Sequence, residues 1–244
     1  MINRKAAPKQ EQLFYFKYYE FGLSLLLTQK LMSLILFIDT AYTHTHIALG
    51  NETGILAELL HEQANEQAAF LNTMIADLLA GQGHTMNAIA AVAVDGGPGS
   101  YTGLRVGMGV AKGLCFALDK PLMVFNKLEL LENQETDFLL VLKARTGEGF
   151  AFARENRKAV LAPQHIFYEN FDWKAFESLP LITDDASVME LQANARALKS
   201  HILNMSDWRA IAWDRFSGKD FDDIAYAEPF YLKSAFTTSP KKKI

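Results

Sequence analysis

Apolar residues along this chain fall into short runs and spaced seams that separate strands from helices. Leu34–Ile38 is an uninterrupted apolar pentamer, as expected of a strand covered on both faces. Thr45–Gly50 and Gly54–Leu60 read as two further strands, the second alternating through Ile55, Ala57 and Leu59, with Asn51–Gly54 as the hairpin. In Glu62–Ala80 the residues Ala64, Ala68, Leu71, Ile75 and Leu78 recur at steps of four and three, which predicts a helix with one apolar seam. Phe70 and Met74 widen that seam, and Gly81-Gln82-Gly83 ends it. Ala88–Val94 is a fourth strand. A glycine-rich run over residues 96–113 then leads into a helix from Gly103 to Leu118, broken by Asp119-Lys120-Pro121. Leu122–Phe125 is a fifth strand, and Lys127–Glu132 a short helix.

The order βββαβαβα, three meandering strands followed by parallel βαβ units, is that of a ribonuclease-H-like lobe with a mixed five-stranded sheet. The second half is less regular. Phe138–Leu142 and Gly149–Arg154 read as strands, Ser187–Leu203 as a helix, and Asn204–Phe216 as a last helix with Met205, Trp208, Ile211, Ala212 and Phe216 on one face. The expected organisation is an N-terminal extension over 1–31, a first lobe over 32–133, a smaller second lobe over 134–236 and a basic tail over 237–244 carrying Lys241–Lys243. The last helix is expected to return to the first lobe. In the extension, Phe21–Leu27 imitates the apolar core of a signal peptide, but Thr28-Gln29-Lys30 and Asp39 interrupt any membrane span. Met32-Ser33 reads as the natural start of the fold.

Composition narrows the function. The 244 residues carry a net charge of −4, which argues against a general nucleic-acid binder. Cys115 is the only cysteine, so intrachain disulfides and Cys-rich metal sites are excluded and a reducing cytoplasm is expected.

The glycine run has two readings. Its amides, at a helix start, could cradle a phosphate, with Asp39 and Thr40 at the end of the first strand and Gly97, Gly99, Ser100 and Thr102 in the turn as candidate, vestigial nucleotide-site residues. Against this, no Gly-Lys-Ser/Thr follows and no ribose-binding acid stands in the right context. The other reading is packing: Gly103, Gly107 and Ala111 fall four apart and form a stripe almost without side chains, open to another backbone. Leu104 and Met108 lie on the adjoining apolar seam. No metal site is expected, because His44 and His46 lack a third ligand. Gly99-Ser100-Tyr101-Thr102-Gly103 fails the serine-hydrolase elbow.

Ile35–Ala41, the Gly-Pro-Gly-Ser-Tyr-Thr-Gly-Leu-Arg core within Asp95–Gly113, and Phe221–Lys233 together resemble the bacterial threonylcarbamoyladenosine biosynthesis family TsaB, also called YeaZ. The resemblance runs from about Met32 to Phe236 and is patchy from 134 to 204. It implies a two-lobed α/β fold of the actin, sugar-kinase and Hsp70 type. It also implies a non-catalytic partner, a degenerate paralogue of the transferase TsaD, supporting threonylcarbamoylation of N6 of the adenosine beside the tRNA anticodon. The implied partners are a TsaD-like catalytic subunit and a TsaE-like ATPase, with tRNA met through the complex and no membrane association. ATP and a metal are expected on those subunits, and no cofactor on this chain. The family pairs through first-lobe helices, which makes Ala64, Ala68, Leu71, Ile75, Gly103, Leu104, Gly107, Met108 and Ala111 the implied interface, for a heterodimer or a homodimer. Two departures stand out. The residues from His61 to Ala68 contain no second histidine for the transferase's metal pair, and Lys143-Ala144-Arg145-Thr146-Gly147-Glu148 replaces the family's Asp-Ala-Arg-x-x-Glu. The alternative is a nucleotide hydrolase or phosphotransferase of the same fold acting alone. A peptidase has no nucleophile or zinc set to support it.

Overall fold

The structure, a computed structural model, describes residues 33–62, 67–131 and 136–231. Strand β1 (Leu34–Asp39) is buried throughout, and its alternation serves two cores: Leu34, Leu36 and Ile38 face one, Ile35 and Phe37 the other. It pairs antiparallel with β2 (Thr45–Gly50), which pairs antiparallel with β3 (Ile55–His61). On its other side β1 runs parallel to β4 (Ile89–Asp95), and β4 to β5 (Leu122–Phe125), giving the order β3-β2-β1-β4-β5.

Two helices cover one face of this sheet. Helix α1 (Gln67–Gly81) contributes Leu71, Ile75 and Leu78, and α2 (Tyr101–Leu118) contributes Met108, Ala111 and Cys115. Helix α2 begins two residues earlier than the glycine pattern suggests, because Ser100 caps it by accepting a hydrogen bond from the Gly103 amide. It stops at Asp119, which adopts a left-handed conformation just ahead of Pro121. A single turn, α3 (Lys127–Leu130), follows β5. Residues 63–66, at the predicted start of the first helix, lie outside the described residues. So do the extension over 1–31, Glu132, and the tail beyond Tyr231.

The second sheet repeats the plan of the first. Strands β6 (Phe138–Arg145), β7 (Glu148–Glu155) and β8 (Lys158–Phe167) form an antiparallel meander, while β9 (Leu181–Thr183) and β10 (Arg196–Ala197) add in parallel on the other side of β6. Together the two five-stranded sheets and their helices make the expected α/β, two-lobed, actin-like architecture. Three of these strands escaped the apolar pattern. Strand β8 is a half-exposed edge that accommodates Pro163, and β9 and β10 span only three and two residues.

The predicted helix over Ser187–Leu203 is not there. Only a one-turn helix, α4 (Ala186–Met189), forms. Val188, Leu191, Ala195 and Leu198 mimic helical spacing, but Gln192 and Asn194 donate to the carbonyls of Phe176 and Leu179, and Arg196–Ala197 pairs with Ile182–Thr183. Side-chain bonds to loop carbonyls and a sheet edge thus outcompete the helix.

Helix α5 (Met205–Ser217) packs on the first sheet. Trp208, 1% exposed, meets Phe37 and Phe125 edge-on with ring centroids 5.3 and 5.8 Å away, and joins a core shared with Phe138, Leu140 and Phe152 of the second sheet. The chain then straps the β5 edge: the Val124 amide donates to Asp222 at 2.7 Å and the Phe230 amide to the Gly96 carbonyl at 2.8 Å. Among the described residues no helix is long and apolar enough to cross a membrane. Trp208→Ala is expected to cost about 3–5 kcal/mol in urea unfolding. Trp208→Phe is expected to cost much less, since the indole N–H it removes is buried without an acceptor among the described residues.

Candidate functional site

Strands β1, β4 and β5 run in the same direction and end side by side, where open α/β sheets place ligands. Each end contributes one residue to a buried charge cluster. Asp39 closes β1, Asp95 closes β4, and Lys127 follows Asn126, the residue after β5 whose side chain caps the α3 turn. The Lys127 ammonium donates to Asp39 Oδ2 at 2.7 Å and to Asp95 Oδ2 at 2.9 Å, with all three side chains fully buried. His44 Nε2 lies 3.1 Å from the same Asp39 oxygen. The remaining oxygens are also engaged, Asp39 Oδ1 by the Ala41 amide at 3.0 Å and Asp95 Oδ1 by the Gly97 amide at 2.8 Å.

Two acids share one ammonium, so they cannot be alike. Burial alone would raise the Asp39 carboxyl, but the Lys127 charge and the His44 hydrogen bond outweigh it and hold it well below the carboxylate range. Burial pushes Asp95 up to about 7, with repulsion from Asp39 adding to it, despite Lys127. Burial would lower Lys127, but the two aspartates keep it above the ordinary lysine value. Asp39 carries the charge that balances Lys127, and Asp95 is the proton holder.

The glycine turn is fitted around this cluster. A Cβ on Gly99 would strike the Ala41 carbonyl oxygen, one on Gly103 the Thr40 carbonyl oxygen, and one on Gly107 the Thr40 hydroxyl. Thr40 in turn donates to the Gly103 carbonyl at 2.7 Å. Gly97, at φ +99°, holds a conformation suited to glycine, and the Gly97–Pro98 bond is cis. The candidate nucleotide residues Asp39, Thr40, Gly97, Gly99 and Ser100 therefore do come together, but they are bound to one another. The Gly97 and Ser100 amides, two donors of the supposed phosphate cradle, go to Asp95 and to the Ala41 carbonyl. Thr102 is exposed on the first turn of α2.

What Gly103 and Gly107 admit is thus the chain's own Thr40, its carbonyl at Gly103 and its side chain at Gly107, while Ala111 packs in the first-sheet core. This corrects the interface assignment. Gly103, Leu104, Gly107, Met108 and Ala111 of α2, and Leu71 and Ile75 of α1, are buried against this chain's first sheet and present nothing to a partner. Ala68 is exposed, and Ala64 lies outside the described residues. The outward faces carry other residues: Ala69, Phe70 and Thr73 on α1, and Gly109, Gly113 and Phe116 on α2. Phe116 is 83% exposed, and a Cβ on Gly109 or Gly113 would meet open space.

His44 and His46 point to different partners, Asp39 and Glu58, and no group of three or more His, Cys, Asp or Glu that could hold a metal occurs among the described residues. Sequence reasoning missed Lys127 as a site residue. The available signal was a lysine placed between the apolar Leu122–Phe125 and Leu128, at a strand end level with two aspartates.

Lys127→Met is expected to destabilise by about 3–5 kcal/mol, because it strands the buried Asp39 carboxylate. Asp95→Asn is expected to be tolerated, since it leaves the Asp39–Lys127 pair neutral. The pH sign follows from the two shifts. Asp95, raised from 3.8 to about 7, contributes stability that is present below pH 3.8 and lost as pH rises through about 7. Asp39, lowered, contributes stability present above 3.8 and lost in acid. Urea unfolding at about pH 4.5 and 7.5 should show Asp95→Asn gaining on the parent chain as pH rises, by up to a few kcal/mol. An unchanged difference would remove Asp95 as the proton holder.

Comparison with known proteins agrees with this architecture. The family model for TsaD, tRNA N6-adenosine threonylcarbamoyltransferase, matches residues 44–166. The tRNA threonylcarbamoyladenosine biosynthesis protein TsaB of Haemophilus influenzae is 28% identical over 81% of this chain and 82% of its own length. The Escherichia coli protein of the same name is 27% identical over 82% and 94%. YeaZ from Pseudomonas aeruginosa shares the fold, with a TM-score of 0.67 and 24% identity over 82% of this chain and 100% of that one. With half its length matched by the TsaD model and four-fifths aligned to TsaB proteins, the chain belongs to the TsaD-type family, in its TsaB (YeaZ) branch.

Proposed function

We propose that this chain is a non-catalytic partner subunit in tRNA threonylcarbamoyladenosine biosynthesis, supporting a TsaD-type transferase that modifies N6 of the adenosine beside the anticodon. The observation that carries this is the Lys127 ammonium between Asp39 and Asp95. At the strand ends where this fold offers acids to a metal and a nucleotide, a fixed internal cation already fills the space between them. The cytoplasm is the compartment in which this role is exercised. ATP and metal belong to the partner subunits, one TsaD-like and one a TsaE-like ATPase, and tRNA is met through the assembly.

The docking surface is the outer side of α1 and α2. Phe70 and Phe116 give it apolar anchors, and Gly109 and Gly113 let a facing helix come close. Glycine inside a helix costs up to about 1 kcal/mol relative to alanine, and nothing among the described residues explains these two. A second copy of the chain could use the same surface when the transferase subunit is absent.

The test is purification of the chain and assay of ATP turnover alone and with its cognate TsaD-like subunit. Turnover or transfer by this chain alone would overturn the proposal. Gly109→Leu is expected to leave the fold intact, raise its stability by up to about 1 kcal/mol, and weaken co-elution with the partner at least tenfold. Gly107→Leu should instead prevent folding, because its side chain would enter the Thr40 turn.

A further inference from the structure

Between the β2–β3 hairpin and the start of α5 runs a groove of about 640 Å³, within the range of sites for small organic ligands. It lies outside the strand-end cluster and takes no part in the function proposed above. Leu60, Ile202 and Met205 give it an apolar wall, and Glu58 is its single acid. No lysine or arginine lines it among the described residues.

Its polar groups select the charge of an occupant. An anion would face the Glu58 carboxylate, and the helix end offers it little, because Asn204 Oδ1 already accepts from the Ser206 and Asp207 amides at 3.0 and 3.2 Å. Among the described residues His46 meets Glu58, with its Nε2 3.3 Å from Oε2. Burial, the largest influence on His46, holds its imidazole below the ordinary value although Asp39 and Glu58 oppose it. Near neutral pH His46 therefore lends Glu58 a hydrogen bond and no positive charge. The Glu58 side chain is 56% exposed, so an arriving cation can reach it. A wholly apolar ligand would cover the carboxylate without compensating it, at a cost in binding.

We propose that this groove binds an organic cation, a primary ammonium or guanidinium on an apolar body, with the head at Glu58 and the body along Leu60, Ile202 and Met205. The inference stands apart from the tRNA-modification reading and survives if that reading fails.

The experiment titrates the full-length chain with 4-phenylbutylammonium, 4-phenylbutanol and 5-phenylpentanoate, which carry different head groups on the same phenylbutyl body. Affinities come from calorimetry, and amide shifts at 55–60 and 202–206 locate the site. The ammonium should bind at least about tenfold tighter than the alcohol and the carboxylate weakest, as a charge-assisted contact requires. Glu58→Gln should bring ammonium and alcohol to within about twofold, while Leu60→Ser weakens both alike. Both side chains are exposed, so the variants should keep the parent melting temperature. Should either variant misfold, the preference for ammonium in the parent chain must shrink as salt rises from about 50 to 500 mM. Equal binding of ammonium and alcohol, no ammonium binding at about 10 mM, shifts elsewhere, or a preference that persists in Glu58→Gln or at high salt would each overturn the proposal.

Discussion

The rest of the first lobe is arranged around one buried ammonium. Three strands in the same direction bring two carboxylates to a dry place, and stripping water from each ion costs several kcal/mol unless it is paired. Lys127 pairs with both, at 2.7 and 2.9 Å, and can do so only if the β1–β2 turn, the glycine turn and the start of α3 crowd together. That crowding is why Gly99, Gly103 and Gly107 have no side chains. Strand ends, lysine and glycine run are one construction.

The same construction decides what the surface offers. Helix α2 carries two glycine pairs, each four residues apart. Gly103 and Gly107 face inward and are explained by the Thr40 turn; Gly109 and Gly113 face outward and meet nothing among the described residues. The inward pair satisfies a close approach inside the chain, and the outward pair is the one proposed above for a partner.

The first lobe was legible in the sequence because its elements are long and their periods distinct. The Leu34–Ile38 run, the Leu71–Ile75–Leu78 seam and the Leu122–Phe125 run each became the element they implied. The second lobe was not, because β9 and β10 are too short to show a period and Val188–Leu198 shows a false one. At the site, Asp39, Thr40 and the glycines were legible as residues that belong together. The direction of the stripe was not: spacing fixes which residues share a helix face but not which neighbour that face meets. Lys127 stayed hidden because a charged residue after a strand ordinarily reads as surface, and only tertiary structure brings its two acids to it.

The two sheets share one strand plan but diverge where chemistry would sit. At the ends of β6 and β9, Lys143 meets Asp185 at 3.3 Å, but the lysine side chain is 51% exposed, and such a pair contributes little. Beside the shared core, the lobes also meet through His201, which reaches Asp184 at 3.1 Å and stacks on Tyr42 of the β1–β2 turn with ring centroids 3.9 Å apart. Tyr42 in turn lies over the Lys127 ammonium, at 5.3 Å. A continuous set of side-chain contacts therefore runs from the buried cluster across to the second lobe, through the mouth where this fold would admit a nucleotide. The side chains around the buried cluster thus also tie the two lobes to each other.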